Sequence, residues 1–327
     1  MAARLTPHMR LSVVSTLYQS APYLREFHAR VSAAALKLTD DFEIVLVNDG
    51  SPDQSLDLAM ELARSDPRVH IVDLSMNFGH HKAMMTGLGK TSGALVFLLD
   101  CDLEEPPEIL DAFERERLRT GADVVYGVQS RRKGSLFERV TGWLYYKIYN
   151  RLSPEPIPEN VITARLMTRR YVDSLVAHGE REVHIAGLWV TTGFQQVPLA
   201  VAKASRGAST YHISRRIGIL VTAVTSFSNT PLMWIFYSGL VILTTSGAAA
   251  AYVIARVLFR GALLAGWASL IVSIWLLGGL TLFCIGLIGI YLSRIFSEVK
   301  KRPYTIVRAV YERGAEIPAS RGQAAAG

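Results

Sequence analysis

The segment LVFLLDCDLEEPPE, residues 95–108, constrains the fold more than any other part of the chain. Its apolar run Leu95–Leu99 is typical of a strand that is buried on both faces of a helix-covered parallel sheet. Asp100 and Asp102 follow this strand, and a Pro-Pro pair then begins a predicted helix. Because α/β folds bind their ligands at the carboxyl ends of such strands, we expect the functional site at this edge of the sheet.

Four acidic residues lie close together in this segment, at Asp100, Asp102, Glu104 and Glu105. Carboxylates this close repel one another unless a cation holds them, and Mg²⁺ or Mn²⁺ suits oxygen ligands. A D-x-D sequence by itself is a weak signal, but its position between a buried strand and a helix strengthens it. The sequence therefore predicts a site for Mg²⁺ or Mn²⁺, with a diphosphate as its companion.

The first 130 residues alternate apolar strands with amphipathic helices, a pattern typical of a mainly parallel α/β sheet covered on both faces. The predicted strands are Leu11–Tyr18, Glu43–Asn48, Val69–Leu74, Leu95–Asp100 and Asp123–Gly127. The predicted helices are Pro22–Leu38, Ser55–Ser65, His81–Lys90 and Pro107–Thr120. Further along, we predict a helix at residues 165–178 and a strand within Gly193–Val201, and we assign residues 1–210 to one domain.

Two stretches without a charged residue, Ile217–Ala255 and Gly261–Ser293, follow this domain. Each exceeds the roughly 20 apolar residues that span a bilayer. Two helices buried in a protein core are the alternative, but little chain remains to surround them. We therefore expect an interface helix at 211–230, two transmembrane helices at about 231–255 and 267–293, and a C-terminal tail at 294–327. Residues 136–152 are predicted to form a helix on the protein surface or, preferably, in the membrane interface.

Basic residues flank the two apolar stretches, whereas the loop between them carries only Arg256 and Arg260. This bias predicts that the N-terminal domain and both termini face the cytoplasm from a multi-pass position in the cytoplasmic membrane. The N-terminal apolar stretch is too short for a signal peptide. Cys101 and Cys284 do not indicate a disulfide framework. The net charge of +7 is attributed to contacts with lipid headgroups, and we expect no nucleic-acid partner because no such motif is present.

Asp49 ends the second predicted strand, at the same sheet edge as Asp100. An acidic residue there commonly hydrogen-bonds a ribose or base, although a helix N-cap or an Asx turn is the alternative. The chain has neither G-x-G-x-x-G after its first strand nor a Walker A lysine motif. We therefore expect nucleotide phosphates to be held by a metal and by basic side chains. His80 and His81 are adjacent on a predicted helix, point apart, and cannot both bind one metal.

Several arginines bracket the predicted metal site and the membrane entry, where a lipid phosphate would arrive. They are Arg131, Arg132, Arg165 and Arg206. Any one of them taken alone is more typical of a solvated surface charge.

Six segments occur in a familiar order: VNDGSPD, NFGHHKA, LLDCDLEEPPE, NVITARLMTRR, SFSNTPL and IGIYLSRIFSEVKKRPYTIV. In this order they resemble the family-two glycosyltransferases of GT-A fold that load a sugar onto polyprenyl phosphate. That group includes undecaprenyl-phosphate glucosyl- and aminoarabinosyl-transferases and dolichol-phosphate mannose synthase. The resemblance covers nearly everything from Leu11 to Tyr311, and the last segment is similar to the branch with two membrane spans.

The resemblance implies an inverting enzyme that transfers a hexose from UDP-glucose or a similar UDP-hexose to undecaprenyl phosphate. The sugar-lipid would then serve surface-glycan modification, such as that of O-antigen, lipopolysaccharide or teichoic acid, and homo-tetramers occur in the family. Thr16, Tyr18, Asp49, Lys82 and Asp100 would bind the nucleotide sugar. Asp102 and Glu104, with Asp100, would bind the metal. Asp100, Asp102 and Arg165 would be catalytic, and Arg131, Arg132 and Arg206 would bind the lipid phosphate.

Departures from the family's pattern leave the donor sugar open, among them Glu104 and Glu105 where relatives have glutamine and aspartate. The turn after the first strand reads Thr16–Ser20, Ser209-Thr210-Tyr211 lacks a lysine, and Thr163 replaces a carboxylate that could act as base. An acceptor phosphate with a second pKa of about 6 is already anionic and needs no strong base. A silent membrane scaffold that binds a nucleotide sugar, or another lipid acceptor, is the alternative. A processive polysaccharide synthase would need a Q-x-x-R-W motif and more spans, and a flippase would need more than two spans.

Overall fold

The computed structural model describes residues 10–129, 147, 150–151, 158, 160–179, 185–202, 230–260, 266–300 and 302–317. The chain divides into two compact units. One comprises Met1–Tyr146, Ile157–Tyr211 and Arg302–Gly327, and the other comprises Lys147–Pro156 and His212–Lys301. Most of the predicted helix at 136–152 and of the predicted interface helix at 211–230 lies outside the described residues.

The first unit contains a sheet of nine strands among its described residues, in the order β7-β5-β6-β4-β1-β2-β3-β8-β9. The strands are β1 Leu11–Leu17, β2 Phe42–Asn48, β3 Val69–Leu74, β4 Leu95–Leu98, β5 Val124–Gln129, β6 Val161–Thr168, β7 Gln196–Val201, β8 Val307–Glu312 and β9 Ala315–Ile317. Strands β4, β1, β2 and β3 are parallel neighbours, so their carboxyl ends form one edge. Strand β6 lies antiparallel between β4 and β5. The α/β prediction is confirmed.

Helices cover both faces of this sheet, because residues that alternate along each strand point to opposite sides. On one face, Leu11 and Val13 of β1 pack with α1 (Leu24–Leu36), α2 (Ser55–Ser65) and α4 (Ile109–Thr120). On the other, Val14 packs with α3 (His80–Leu88), α5 (Arg169–Ala177) and α6 (Ile185–Thr191). The central strands are buried on both sides, which explains their unbroken apolar sequence.

The predicted helix at 165–178 is wrong at its beginning. Residues Val161–Thr168 form β6, and the helix begins only at Arg169. The segment pairs with β4 on one side and β5 on the other, and this tertiary pairing overrides its local preference. Arg165 is consequently a strand residue, with its Cα opposite those of Leu98 and Tyr126.

The C-terminal segment, which we expected to be a tail, adds two strands to the sheet. Strand β8 pairs antiparallel with β3, and β9 with β8. The Arg308 guanidinium lies 3.4 Å from the Asp73 carboxylate and donates to the Ser75 carbonyl oxygen at 2.7 Å. Residues from near both ends of the chain therefore build one sheet.

The second unit contains two long helices, α7 (Thr230–Arg260) and α8 (Trp267–Val299), at the positions of the two apolar stretches. Part of their side chains is not described. Within the residues that the structure describes, no helix has both the length and the apolar character needed to cross a membrane.

Candidate active site

The carboxyl ends of β2, β1 and β4 lie side by side at one edge of the sheet. The amino end of the antiparallel strand β6 lies next to β4 at the same edge. Thr16 lies at the end of β1, Asp49 directly after β2, and Asp100 just after β4. The Asp49 N–H donates to the Leu17 carbonyl oxygen at 3.0 Å, which ties the ends of β1 and β2 together. The structure thus brings together three of the predicted donor-binding residues.

His80, the first residue of α3, bridges two of these strand ends. Its Nδ1 lies 2.9 Å from Thr16 Oγ1, and its Nε2 lies 3.4 Å from Asp100 Oδ1. His81, the next residue, lines a different cavity that is described below. Sequence reasoning tested His80 only as a metal ligand and so missed its contact with Asp100. Its position at a helix start in NFGHHKA was the available signal.

Asp49 is buried and holds the loop that leads to His80. Its Oδ1 accepts the Phe78 N–H at 2.7 Å, and its Oδ2 accepts the Gly79 N–H at 3.0 Å. Gly50, with φ of 59°, allows this loop to approach, since a Cβ there would lie 2.5 Å from backbone atoms of Met76 and Asn77. Asp49 is therefore a loop anchor, and the N-cap expected as an alternative role is not what it does.

The adjacent turn is fixed by Asp53 instead. Its carboxylate accepts hydrogen bonds from the Ser51 hydroxyl at 2.6 Å and from the N–H groups of Ser55 at 3.0 Å and Ala21 at 3.1 Å. Burial raises the pKa of Asp53, but these hydrogen bonds outweigh it and lower the pKa to about 2. The turn after β1 is thereby attached to the start of α2, and Tyr18 remains about half exposed on it.

The carboxylates of the D-x-D loop differ in their exposure and in their hydrogen-bond partners. Asp100 is partly exposed, and Asp102 Oδ1 accepts the Glu104 N–H at 2.9 Å, next to Leu103 with φ of 58°. Glu105 is fully buried and accepts the N–H groups of Thr163 at 3.2 Å and Ala164 at 2.8 Å. Glu105 therefore anchors β6 and does not belong to the acidic metal cluster in which we first placed it.

Among the described residues, no group of three or more His, Cys, Asp or Glu side chains has the geometry of a metal site. Asp100 and Asp102 nevertheless fit Mg²⁺ or Mn²⁺, because Mg²⁺ is usually held by one or two carboxylates together with phosphate oxygens of a substrate. Cys101 between them is buried, and burial, Asp102 and Asp100 raise the pKa of its thiol to about 12. It is not a thiolate nucleophile at neutral pH.

A cavity of about 250 Å³, here called the Arg165 cavity, lies beside β5 and β6. It is lined by His81, Tyr126, Pro158, Val161, Ile162, Thr163, Arg165, Ile185, Ala186, Trp189, Val190 and Gln196. The Arg165 side chain is 1% exposed, its Nε donates to the Thr163 carbonyl oxygen at 3.3 Å, and its guanidinium stacks 3.0 Å from the Trp189 ring centroid. Within the described part of the chain, Arg165 Nη2 and Trp189 Nε1 are buried without a hydrogen-bond partner.

Burial lowers the pKa of the Arg165 guanidinium to about 10, although Tyr171 and Glu105 favour the charged form. Arg165 is therefore still a cation at neutral pH. Sequence reasoning found Arg165 but placed it on a helix, and it missed Trp189, which carried no recognised motif.

The remaining predicted site residues are Lys82, Arg131, Arg132 and Arg206. Lys82 lies on α3, partly exposed. Arg131, Arg132 and Arg206 lie outside the described residues, so their assignment to the lipid phosphate stays a prediction.

Comparison with known proteins gives consistent matches. The model of the family "Glycosyl transferase family 2" matches residues 12–176. A glycosyltransferase of Mycobacterium tuberculosis is 54% identical over 93% of this chain and 89% of its own length. The SfII prophage-derived bactoprenol glucosyl transferase of Shigella flexneri is 33% identical over 92% of this chain and 98% of its own. The uncharacterized glycosyltransferase YkcC of Bacillus subtilis is 32% identical over 94% and 96%.

Proposed function

Since the chain belongs to glycosyl transferase family 2 and is a glycosyltransferase, we propose that it transfers a hexose from a UDP-hexose to undecaprenyl phosphate. The observation that carries this proposal is the nearly full-length match to a bactoprenol glucosyl transferase. UDP-glucose is the first donor to test, and surface-glycan modification is the proposed use of the product. A homo-oligomer, a tetramer by family analogy, is part of the same proposal.

The order of strand ends supports a path for the donor. The nucleoside would lie near Thr16, Tyr18 and Asp49 on β1 and β2, and the diphosphate near Asp100 and Asp102 after β4. The hexose then extends towards β6. A bound Mg²⁺ or Mn²⁺ would supply charge neutralisation at the leaving diphosphate. His80 would orient Asp100 through their contact, while Asp49 keeps the loop carrying His80 in place.

The proposed reaction is a single displacement at the anomeric carbon. An oxygen of the acceptor phosphate forms a bond to C1 while the bond from C1 to the diphosphate oxygen breaks, so the configuration inverts and UDP leaves with the electron pair. The nucleophile is already anionic, so Thr163 in place of a carboxylate is compatible with turnover. The side chains contribute alignment of the two substrates.

We also propose that α7 and α8 form a membrane hairpin that anchors a cytoplasmic catalytic domain. The uncharged runs Ile217–Ala255 and Gly261–Ser293 support this proposal. So does the exposure of large apolar side chains on both helices, for example Phe259 at 86% and Leu282 at 72%. Reconstitution into vesicles followed by protease treatment tests it. Protection of α7 and α8 supports the hairpin, and their complete digestion contradicts it.

The test of the reaction is UDP or GDP release from a panel of nucleotide sugars by the purified full chain with Mg²⁺ or Mn²⁺. Each donor is measured with and without undecaprenyl phosphate, and Asp102→Asn is the inactive control. Lipid-dependent release that the substitution abolishes supports the proposal and names the donor. Donor binding without release from any sugar would favour a silent scaffold or another acceptor.

A further inference from the structure

Residues 304–308, which lead into β8, hold the beginning of the loop at residues 75–79. The Ser75 N–H donates to the Ile306 carbonyl oxygen at 2.9 Å. The Arg308 guanidinium donates to the Ser75 carbonyl oxygen at 2.7 Å. Both backbone groups of Ser75 are thus bonded to the 304–308 segment, which restrains the loop where it leaves β3.

The same segment packs against α3, the helix that follows this loop. Tyr304 and Val307 are partly buried and pack on the core cluster to which the buried side of α3 belongs. The hydroxyl oxygens of Thr305 and Thr86 lie 2.8 Å apart, which bonds the segment directly to α3. The loop at residues 75–79 and the helix after it are therefore held by one short stretch of chain.

A chain of side-chain contacts also runs from Arg308 to the turn after β1. The Arg308 guanidinium lies 3.4 Å from Oδ2 of Asp73, a buried carboxylate whose Oδ1 accepts the Asn48 amide N–H at 2.7 Å. Asn48 Oδ1 accepts the Ser51 N–H at 3.2 Å, and Ser51 Oγ accepts the Gln19 N–H at 2.7 Å. Gln19 has φ of 54°, a conformation that a residue other than glycine keeps only where its surroundings hold it. The turn after β1 is therefore connected to β8 through the ends of β2 and β3.

These two loops adjoin the residues that the proposed function assigns to the donor. Tyr18 lies on the turn after β1, and the loop at residues 75–79 leads to His80 and is held at its far end by Asp49. A loop that is already ordered in its binding conformation loses less conformational entropy when the ligand arrives, so the ligand binds more tightly. Contacts that order both loops should therefore contribute to affinity for the donor without touching it.

We propose that the 304–308 segment positions the donor site, and that Arg308 and Thr305 are its positioning residues. The inference rests on the proposed function, which places the nucleoside at the ends of β1 and β2. Arg308 acts through Ser75 and Asp73, and Thr305 acts through α3. On the proposed path the acceptor meets the hexose near β6, which four strands separate from β8, so acceptor binding should not depend on these contacts.

The experiment uses the full chain in detergent and compares Arg308→Met and Thr305→Val with the wild type. We expect Arg308→Met to raise the Kd for UDP with Mn²⁺, measured by calorimetry, at least tenfold, and Thr305→Val to raise it about threefold. The KM for undecaprenyl phosphate should stay within twofold in both variants.

Arg170→Met is the matched control, because Arg170, like Arg308, is an exposed arginine paired with a buried aspartate. Its Nη2 donates to Asp123 Oδ2 at 2.8 Å, at the amino end of β5 and away from both loops. Arg170→Met should lower the Tm about as much as Arg308→Met but leave the Kd for UDP within twofold. Hydrogen exchange should become faster at residues 75–79 in Arg308→Met and should stay unchanged there in Arg170→Met.

A lower Tm with an unchanged Kd for UDP in Arg308→Met would give Arg308 a structural role alone and overturn the inference. So would an equal rise of the donor Kd and of the acceptor KM. If Arg308→Met does not fold, Arg308→Lys decides, since a single ammonium group cannot keep both the Asp73 and the Ser75 contact in their present geometry. A raised Kd for UDP in that variant supports the inference, and an unchanged Kd overturns it.

The proposed function fails separately if the wild type binds neither UDP nor GDP and transfers no sugar. Hydrogen exchange of the unliganded chain then decides whether the 304–308 segment holds the loop. Faster exchange at residues 75–79 in Arg308→Met, but not in Arg170→Met, supports it. Equal exchange in the two variants overturns it.

Discussion

At the carboxyl edge of the sheet, the hydrogen bonding of polar side chains differs between the two sides of β4. Towards β1 and β2, Thr16, His80 and Asp100 form a chain of contacts, and both carboxylate oxygens of Asp49 accept backbone N–H groups. Towards β6, Arg165 and Trp189 each retain a buried N–H without a partner among the described residues. The carboxylate of Asp49 and the ring of His80 already have partners within the chain, whereas these two N–H groups do not.

The difference indicates how the two halves bind. A hydrogen-bonded half is already shaped for its ligand and loses little conformational entropy on binding. An unsatisfied half gains most when its ligand arrives, because the missing hydrogen bonds are then made. The β1–β2 side is therefore held in place by hydrogen bonds within the chain, whereas the β6 side keeps two N–H donors without a partner among the described residues.

The largest effect on turnover is expected for Asp102, in the D-x-D loop that follows β4. Asp102→Asn removes a carboxylate from the proposed metal site, and metal stabilisation of a leaving diphosphate is worth several kcal/mol. At about 1.4 kcal/mol for each tenfold change, kcat should fall by at least about 100-fold. UDP release with saturating Mn²⁺ measures it. Glu104→Gln serves as the comparison, and equal turnover of Asp102→Asn and wild type would place the metal elsewhere.

Asp49→Asn tests whether the β1–β2 side is preformed. The amide keeps one acceptor oxygen but directs an NH₂ group at a backbone N–H of Phe78 or Gly79. We expect a loss of about 2 kcal/mol in the free energy of unfolding, the cost of a buried unpaired donor. Thermal unfolding should show a Tm lower by several degrees. An unchanged Tm together with weaker UDP binding would make Asp49 a ligand contact rather than a loop anchor.

His80→Gln should have a smaller effect on activity. It should disturb the orientation of Asp100 without lowering the stability of the fold. Glutamine can still reach one of the two partners, Thr16 or Asp100, but cannot bridge both. We expect kcat/KM for the donor to fall about tenfold, roughly 1.4 kcal/mol, without a change in Tm. His81→Gln on the neighbouring position is the control for donor binding. A donor kcat/KM unaffected by His80→Gln would mean that Asp100 needs no partner.

The smallest effect concerns the turn held by Asp53. Its folded pKa of about 2 lies below the ordinary value of 3.8, so its stabilisation is fully present above pH 3.8 and is lost as the pH falls towards 2. The difference in urea midpoint between wild type and Asp53→Asn should therefore be constant from pH 7 to 5 and shrink below pH 4. A difference that does not change with pH would contradict the charge-based account.

Most of the parallel core could be predicted from the sequence, because buried strands carry a local signal. Val69–Leu74 and Ser55–Ser65 have the predicted bounds, and the other elements predicted within the first 130 residues differ by one or two residues at an end. Strand β6 could not be predicted, since its conformation depends on pairing with β4 and β5, which are distant in sequence. Strand β8 was missed for the same reason, because it pairs with β3, and β9 adds to β8 through a short turn.

The residues of the candidate site likewise divide into those with a local sequence signal and those whose role depends on distant partners. Positions that closely follow a strand, such as Asp49 and Asp100, were predictable. Parallel neighbouring strands end at the same edge of the sheet, independently of the conformation of the loops. The roles of His80 and Glu105 depend on which side chain lies opposite in space. Their partners, Asp100 and the N–H groups of Thr163 and Ala164, become visible only in the folded chain.

Strand β8 has a consequence for biosynthesis. Among the described residues, the edge of β3 that faces away from β2 is covered by β8, residues 307–312, which leave the ribosome after β1 to β7 and after both long helices. Until then the nascent domain exposes an unpaired strand edge of the kind that recruits other chains. The edge of β3 therefore stays unpaired until the segment that follows the second long helix has been translated.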